Sequence, residues 1–173
     1  MSFKLIVAVS KNYGIGINNT LPWNIKEDLK HFSKTTKGNG NNAIVMGRNT
    51  WNSFNGRYLK KRDHLILSTS LIIDNNDNDN NEIIKTFSGI DNLIEFIKNK
   101  NYDDVWIIGG GTIYKTFIEL NLINECYITF IDNTYECDTY FPYDLIKDWK
   151  CEEPILMNTE NDFNVYIKKF YKS

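Results

Sequence analysis

The chain has 173 residues, 42% of them apolar and 14% aromatic, enough for a single core without disulfides or structural metal. A net charge of −2 excludes a general nucleic-acid or membrane-surface binder. Three scattered cysteines (Cys126, Cys137, Cys151) and two distant histidines (His31, His64) lack metal-ligand spacing, and no apolar run reaches signal-peptide or membrane-spanning length, so a soluble, cytoplasmic protein with no bound metal is expected.

"FKLIVAVS" (3–10) is a near-continuous apolar run, as in a strand buried on both faces. The loop "SKNYGIGINNTLPW" carries Gly14 and Gly16 and is long enough to serve as a lid. A helix is predicted over 25–35, with Ile25, Leu29 and Phe32 on one face and Asn24 and Glu27 as a capping box. Asp28 falls in the middle of that apolar stripe. A carboxylate there is costly unless it is hydrogen-bonded or used, which makes Asp28 the leading candidate for chemistry.

"TTKGNGNN" (35–42) reads as a polar connector to a second buried strand, "NAIVMG" (42–47), and a short helix over 48–54. Arg48 in that helix's first turn opposes the helix dipole unless an anion sits there. Arg62 precedes a third strand, "HLILST" (64–69), whose end delivers Ser68 and Thr69. "DNNDNDNNE" (74–82) cannot bury a core and is expected to be an exposed loop. A helix over 89–100 follows, with Ser88 as N-cap and Ile90, Leu93, Ile94 and Ile97 on one stripe.

The strand "DVWIIGG" (104–110) runs into Gly109, Gly110 and Gly111 and then a helix over 111–120. Three glycines at a strand-to-helix junction allow close backbone approach, and the helix start offers free N–H groups to a phosphate. The pattern is neither G-x-G-x-x-G nor a P-loop. With Arg48, it suggests two helix starts gripping one polyphosphate cofactor. "ECYITFID" and "NVYIKKFY" add antiparallel strands at the C-terminal end, giving an α/β, mostly parallel sheet.

"IVAVSKNYGIGINNTLPWNIKEDLKHF", "IVMGRNTWNSF", "RDHLILS", "VWIIGGGTIY" and "DTYFP" stand in the order and spacing of the dihydrofolate reductase family, and the chain resembles that family over nearly its whole length. The resemblance implies one domain over 1–173. Its fold would be an eight-stranded, mostly parallel mixed sheet with an antiparallel C-terminal hairpin, flanked by about four helices. The implied activity is NADPH-dependent reduction of 7,8-dihydrofolate to tetrahydrofolate. Hydride passes from nicotinamide C4 to pterin C6 and N5 is protonated, in support of thymidylate and one-carbon metabolism, which makes the protein an antifolate target.

By the same resemblance, Asp28 holds the pterin, with Trp23 and Thr129 as partners of its carboxylate. Ala8, Leu29, Phe32, Phe54, Leu59, Ile108 and Tyr114 line the substrate site. Arg62 pairs with the folate α-carboxylate through a bidentate fork, and Arg57 is a rival for that role. The cofactor would be held by Ala8, Ile15, Gly16, Asn19, Leu21, Gly47, Arg48, Asn49, Thr50, Ser68, Thr69, Ile108, Gly110, Gly111, Thr112, Ile113 and Tyr114. Asn49 and Thr112 stand where many relatives carry basic residues, which leaves Arg48 with more of the 2′-phosphate. A monomer without a fused thymidylate synthase is expected. The alternatives are an NADPH-dependent reductase of the riboflavin-pathway type on the same fold and a non-catalytic folate- or RNA-binding relic.

Overall fold

A computed structural model of the protein describes residues 2–75 and 82–172. In chain order the elements are β1 (Phe3–Val9), β2 (Gly14–Gly16), α1 (Lys26–Lys37), β3 (Asn42–Gly47), α2 (Arg48–Ser53), β4 (Arg62–Leu67), β5 (Asp74–Asn75) and β6 (Ile84–Phe87). There follow α3 (Ile90–Lys98), β7 (Val105–Gly109), α4 (Gly111–Glu119), β8 (Ile123–Ile131), β9 (Thr139–Tyr140), β10 (Lys150–Cys151), β11 (Ile155–Leu156) and β12 (Val165–Tyr171). The main sheet runs β10-β12-β8-β1-β7-β3-β4-β6-β5, with β11 also on β12. Of its ten strands, β5, β10 and β11 are only two residues long. The pairs among β8, β1, β7, β3, β4 and β6 are parallel, while β12 is antiparallel to β8 and β5 to β6.

The two faces of the sheet follow from the period of two along each strand. Leu5, Val7 and Val9 of β1, Ala43 and Val45 of β3 and Ile107 of β7 join one cluster with Leu93 and Ile97 of α3 and Phe117 of α4. Ile6, Ile44, Met46, Trp106 and Ile108 face the other way and meet Phe32 of α1 and Trp51 of α2. The parallel strands are therefore buried on both sides, which is why they read as continuous apolar runs.

Several local expectations are corrected. The N-cap of α1 is Ile25, extended at φ −122° and ψ 99° with no side-chain cap bond, so Asn24 and Glu27 form no capping box. Gly89, not Ser88, is the N-cap of α3. The connector predicted over 35–42 is half structured: α1 continues to Lys37, and Asn42 opens β3. Asn42 is buried, donating from Nδ2 to the Thr36 carbonyl (3.0 Å) and accepting the Asp104 N–H at Oδ1 (3.0 Å). In the stretch expected to be an exposed loop over 74–82, Asp74 and Asn75 form β5 and Glu82 is buried; residues 76–81 lie outside the described residues. Ile84–Phe87, not expected as a strand, pairs in parallel with β4 because its two ends, Ile84 and Phe87, supply apolar side chains to opposite faces.

Candidate active site

The buried residues of α1 are Asp28 and Thr36, with Phe32 partly buried between them and Ile25 buried ahead of the helix. Leu29 lies off this stripe and is 51% exposed, so it adds little to the core. Asp28 is 8% exposed. Burial pushes its carboxyl above the ordinary range, and the nearby Thr129 hydroxyl and His31 ring oppose that shift. Thr129 is buried on β8, directly in register with Ala8 of β1. Ala8 packs against the cluster of Trp23, Ile25, Ile131 and Val165. Trp23 is buried with its ring 5.4 Å from that of Tyr135, and its Nε1–H finds no hydrogen-bond partner among the described residues.

The walls come from the neighbouring cluster. Phe32, Phe54 and Leu59 are partly buried against a patch formed by Ile6, Met46, Trp106 and Ile108. Tyr114 is buried and its hydroxyl donates to the Ile6 carbonyl (2.9 Å); burial raises its pKa further, so the phenol keeps its proton.

Arg62 and Arg57 are separated by their surroundings. Arg57 is exposed in the turn after α2, with its N–H bonded to the Phe54 carbonyl. Arg62 is buried, and its guanidinium is fixed to the last turns of α1. Nη1 donates to the Ser33 carbonyl (3.1 Å) and Thr36 Oγ1 (3.0 Å), and Nε donates to the Lys60 carbonyl (2.9 Å). Nη2 makes none of these bonds.

Gly47, Ser68 and Gly110 lie at or just past the carboxyl ends of β3, β4 and β7, the edge at which open α/β sheets bind ligands. The β3–α2 and β7–α4 junctions interlock there. A Cβ on Gly47 would stand 3.1 Å from Ile113 Cγ1, and one on Gly109 would stand 3.2 Å from Tyr114 Oη and 3.5 Å from Thr50 Oγ1. Gly109 also has φ +127°, a conformation side chains rarely adopt, and its peptide bond to Gly110 is cis. Helix α4 starts at Gly111 with no side-chain cap, so its first N–H groups are open to an anion, with Thr112 exposed beside them. Arg48 is exposed, donates from Nη1 to Ser70 Oγ (2.8 Å), and makes no ion pair among the described residues. Asn49 and Thr69 are exposed alongside. Ser70 ends the run of small hydroxyls past β4 that the sequence offered as phosphate donors. These donors fit a polyphosphate.

The segment after β1 is tethered to a second, two-stranded sheet. Gly14 pairs with Tyr140 and Gly16 with Thr139, and the Asn18 N–H donates to Asp138 Oδ2 (2.9 Å). A Cβ on Gly111 would meet the Tyr140 carbonyl at 3.2 Å and Ile15 Cδ1 at 3.6 Å, so this segment touches the start of α4. Asn18 and Asn19 take left-handed φ in the turn between Ile17 and Thr20, and Leu21 is half exposed beyond it.

A glycine-lined junction of two helix starts, a buried carboxylate and a set of apolar walls are the features expected of a reductase-class site for a nucleotide and a flat ring. A profile of the dihydrofolate reductase family matches residues 2–172. The dihydrofolate reductase of Buchnera aphidicola is 37% identical over 171 residues, covering 98% of this chain and 97% of the relative. That of Drosophila melanogaster is 36% identical over 149 residues, covering 82% and 80%. A bifunctional dihydrofolate reductase–thymidylate synthase of Arabidopsis thaliana is 31% identical over 184 residues, covering 99% of this chain and 34% of the relative. The chain belongs to the dihydrofolate reductase family. It is an oxidoreductase of folate metabolism that reduces dihydrofolate with a nicotinamide cofactor, and the riboflavin-pathway and non-catalytic readings fall away.

Proposed function

We propose that the chain uses NADPH as that cofactor, and that Asp28 is the one ionisable group its chemistry requires. The observation that carries this is the position of Asp28: buried on α1 near the Thr129 hydroxyl and raised in proton affinity by its surroundings. A carboxylate so placed can accept from the amino group and N3 of a pterin and favour a proton on the bound ring. Trp23 Nε1–H, a buried donor without an acceptor among the described residues, is suited to hold a water that delivers the proton to N5. The reduced nicotinamide supplies the hydride to C6.

The remaining residues position and desolvate. Ala8, Leu29, Phe32, Phe54, Leu59 and Ile108 form the walls, and Arg62 receives the folate α-carboxylate at the far end. Tyr114 closes the nicotinamide end, while Ile15, Gly16, Asn19 and Leu21 cover it. Gly47, Thr50, Gly110, Gly111, Thr112 and Ile113 cradle the pyrophosphate. Arg48, Asn49, Ser68 and Thr69 face the adenosine end, and Arg48 with its free hydrogens is the cation suited to the 2′-phosphate that separates NADPH from NADH. A cytoplasmic monomer belongs to the same reading. All three cysteines are free thiols, and among the described residues no helix is long and apolar enough to cross a membrane.

The test is absorbance of the reduced cofactor with purified protein, 7,8-dihydrofolate, and NADPH or NADH. Oxidation that requires dihydrofolate, runs faster with NADPH, and is titrated away by methotrexate is the expected result. Folded protein that oxidises neither cofactor in the presence of dihydrofolate overturns the reading.

A further inference from the structure

Glu82 sits at the end of the Asn/Asp-rich stretch, where the sequence pointed to solvent, yet it is 5% exposed. Its Oε1 accepts the Lys61 N–H (2.5 Å). Lys61 holds a left-handed φ of +64°, and its neighbours on either side are already committed: the Lys60 carbonyl accepts from Arg62 Nε. The Glu82 backbone cannot drift, because the next residue is bonded twice to β4. The Ile83 N–H donates to Asp63 Oδ1 (2.9 Å) and the Ile83 carbonyl accepts the His64 N–H (2.8 Å). The carboxylate also acts electrostatically on the Arg62 guanidinium.

These contacts form a short rigid path: β6, Glu82, the Lys61 peptide, the Lys60 carbonyl, Arg62 Nε. We propose that Glu82 is a positioning residue that aims the Arg62 guanidinium at the carboxylate tail of the substrate, and so sets preference for tailed over tail-less pterins. The inference rests on the reading that Arg62 receives the folate α-carboxylate. Burial of an acid at this point has a physical reason in that role. Fixing the strained Lys61 peptide removes rotamer freedom from Arg62 before the ligand arrives, which lowers the cost of ordering it on binding.

The experiment compares wild type, Glu82→Ala, Glu82→Gln, Arg62→Ala and the Arg62→Ala/Glu82→Ala double variant. Each is assayed with 7,8-dihydrofolate and with a 7,8-dihydropterin lacking the aminobenzoyl-glutamate. For Glu82→Ala we expect KM for dihydrofolate to rise about tenfold with kcat within about twofold, and KM for the tail-less pterin to stay unchanged. Glu82→Gln retains an acceptor for the Lys61 N–H and recovers most of the loss. The double variant is no worse than Arg62→Ala. Equal KM changes on both substrates, an unchanged KM for dihydrofolate, or additive losses in the double variant each overturn the proposal. If Glu82→Ala does not fold, Glu82→Asp decides in its place, because its shorter side chain withdraws the acceptor from the Lys61 N–H: it must raise KM for dihydrofolate and not for the tail-less pterin, or the proposal fails. A wild type that does not reduce dihydrofolate at all sinks the underlying reading instead, which keeps the two failures apart.

Discussion

The burial of Asp28 costs stability, and the sign of that cost with pH follows from its raised pKa. Its carboxyl is raised above 3.8, so the folded protein keeps this proton over a range where the unfolded chain has lost it. Stability therefore falls as pH rises through that range, and the penalty is complete above it. Asp28→Asn is expected to raise Tm at neutral pH, with the gain vanishing below the ordinary carboxylate range, while turnover drops by about a hundredfold or more. Calorimetry at two pH values and a rate measurement check both halves; a lower Tm at neutral pH would contradict the burial argument. His64 carries the opposite sign. It is fully buried, its Nε2 accepts the Leu59 N–H (3.0 Å), and burial pushes its pKa down to about 4. Stability is lost as pH falls from about 6.5 towards 4, because the unfolded chain takes a proton that the folded chain refuses. His64→Gln is expected to flatten that part of a urea-midpoint profile against pH. Asp28 was legible in the sequence because it interrupts an apolar stripe. Leu29, read from the sequence as pocket wall, is half exposed, because the buried stripe runs through 25, 28, 32 and 36. Glu82 left a faint signal, as the one glutamate of its run and the residue just before Ile83 and Ile84, but its burial depends on the opposite strand.

Among the elements, β3 was legible to the residue, and β1, β7 and β8 to within one or two, because burial on both faces leaves an unmixed apolar signature. Strands of two or three residues were not. β2 and β9 are specified by each other through Gly14–Tyr140 and Gly16–Thr139, a pairing that spans more than a hundred residues and leaves no local pattern. The β7–α4 junction was legible as three glycines, and the structure separates what each does. Gly109 has the left-handed φ and lies close to Tyr114 Oη, whereas Gly111 gives room to the Tyr140 carbonyl. Gly109→Ala is expected to destabilise the fold by about 2 kcal/mol through backbone strain. Urea unfolding measures this directly, and a loss too small to resolve would show that the junction relaxes.

For the whole molecule, the α/β class and the mostly parallel sheet were legible from the alternation of apolar runs with helical stripes. The order of strands was not, because no local pattern says that β7 lies between β1 and β3. The site inherits that non-local order. Asp28 comes from α1 and its partner Thr129 from β8, on either side of most of the chain. Refolding from urea is therefore expected to be slow for a chain of this size, with activity returning in the last phase, and stopped-flow fluorescence alongside an activity assay checks it. Activity preceding the recovery of native fluorescence would contradict that order.

The central place of β7 also matters while the protein is being made. A chain synthesised only as far as Lys98 has β1 on one side and β3, β4 and β6 on the other, with nothing yet to join them. The facing edges of β1 and β3 stay open to wrong partners until Val105–Gly109 leaves the ribosome. That one strand, when it arrives, both unites the sheet and brings the glycines of the β7–α4 junction. Translation speed across residues 99–110 thus bears on yield, and synonymous codons that slow it there would prolong the exposure of both edges.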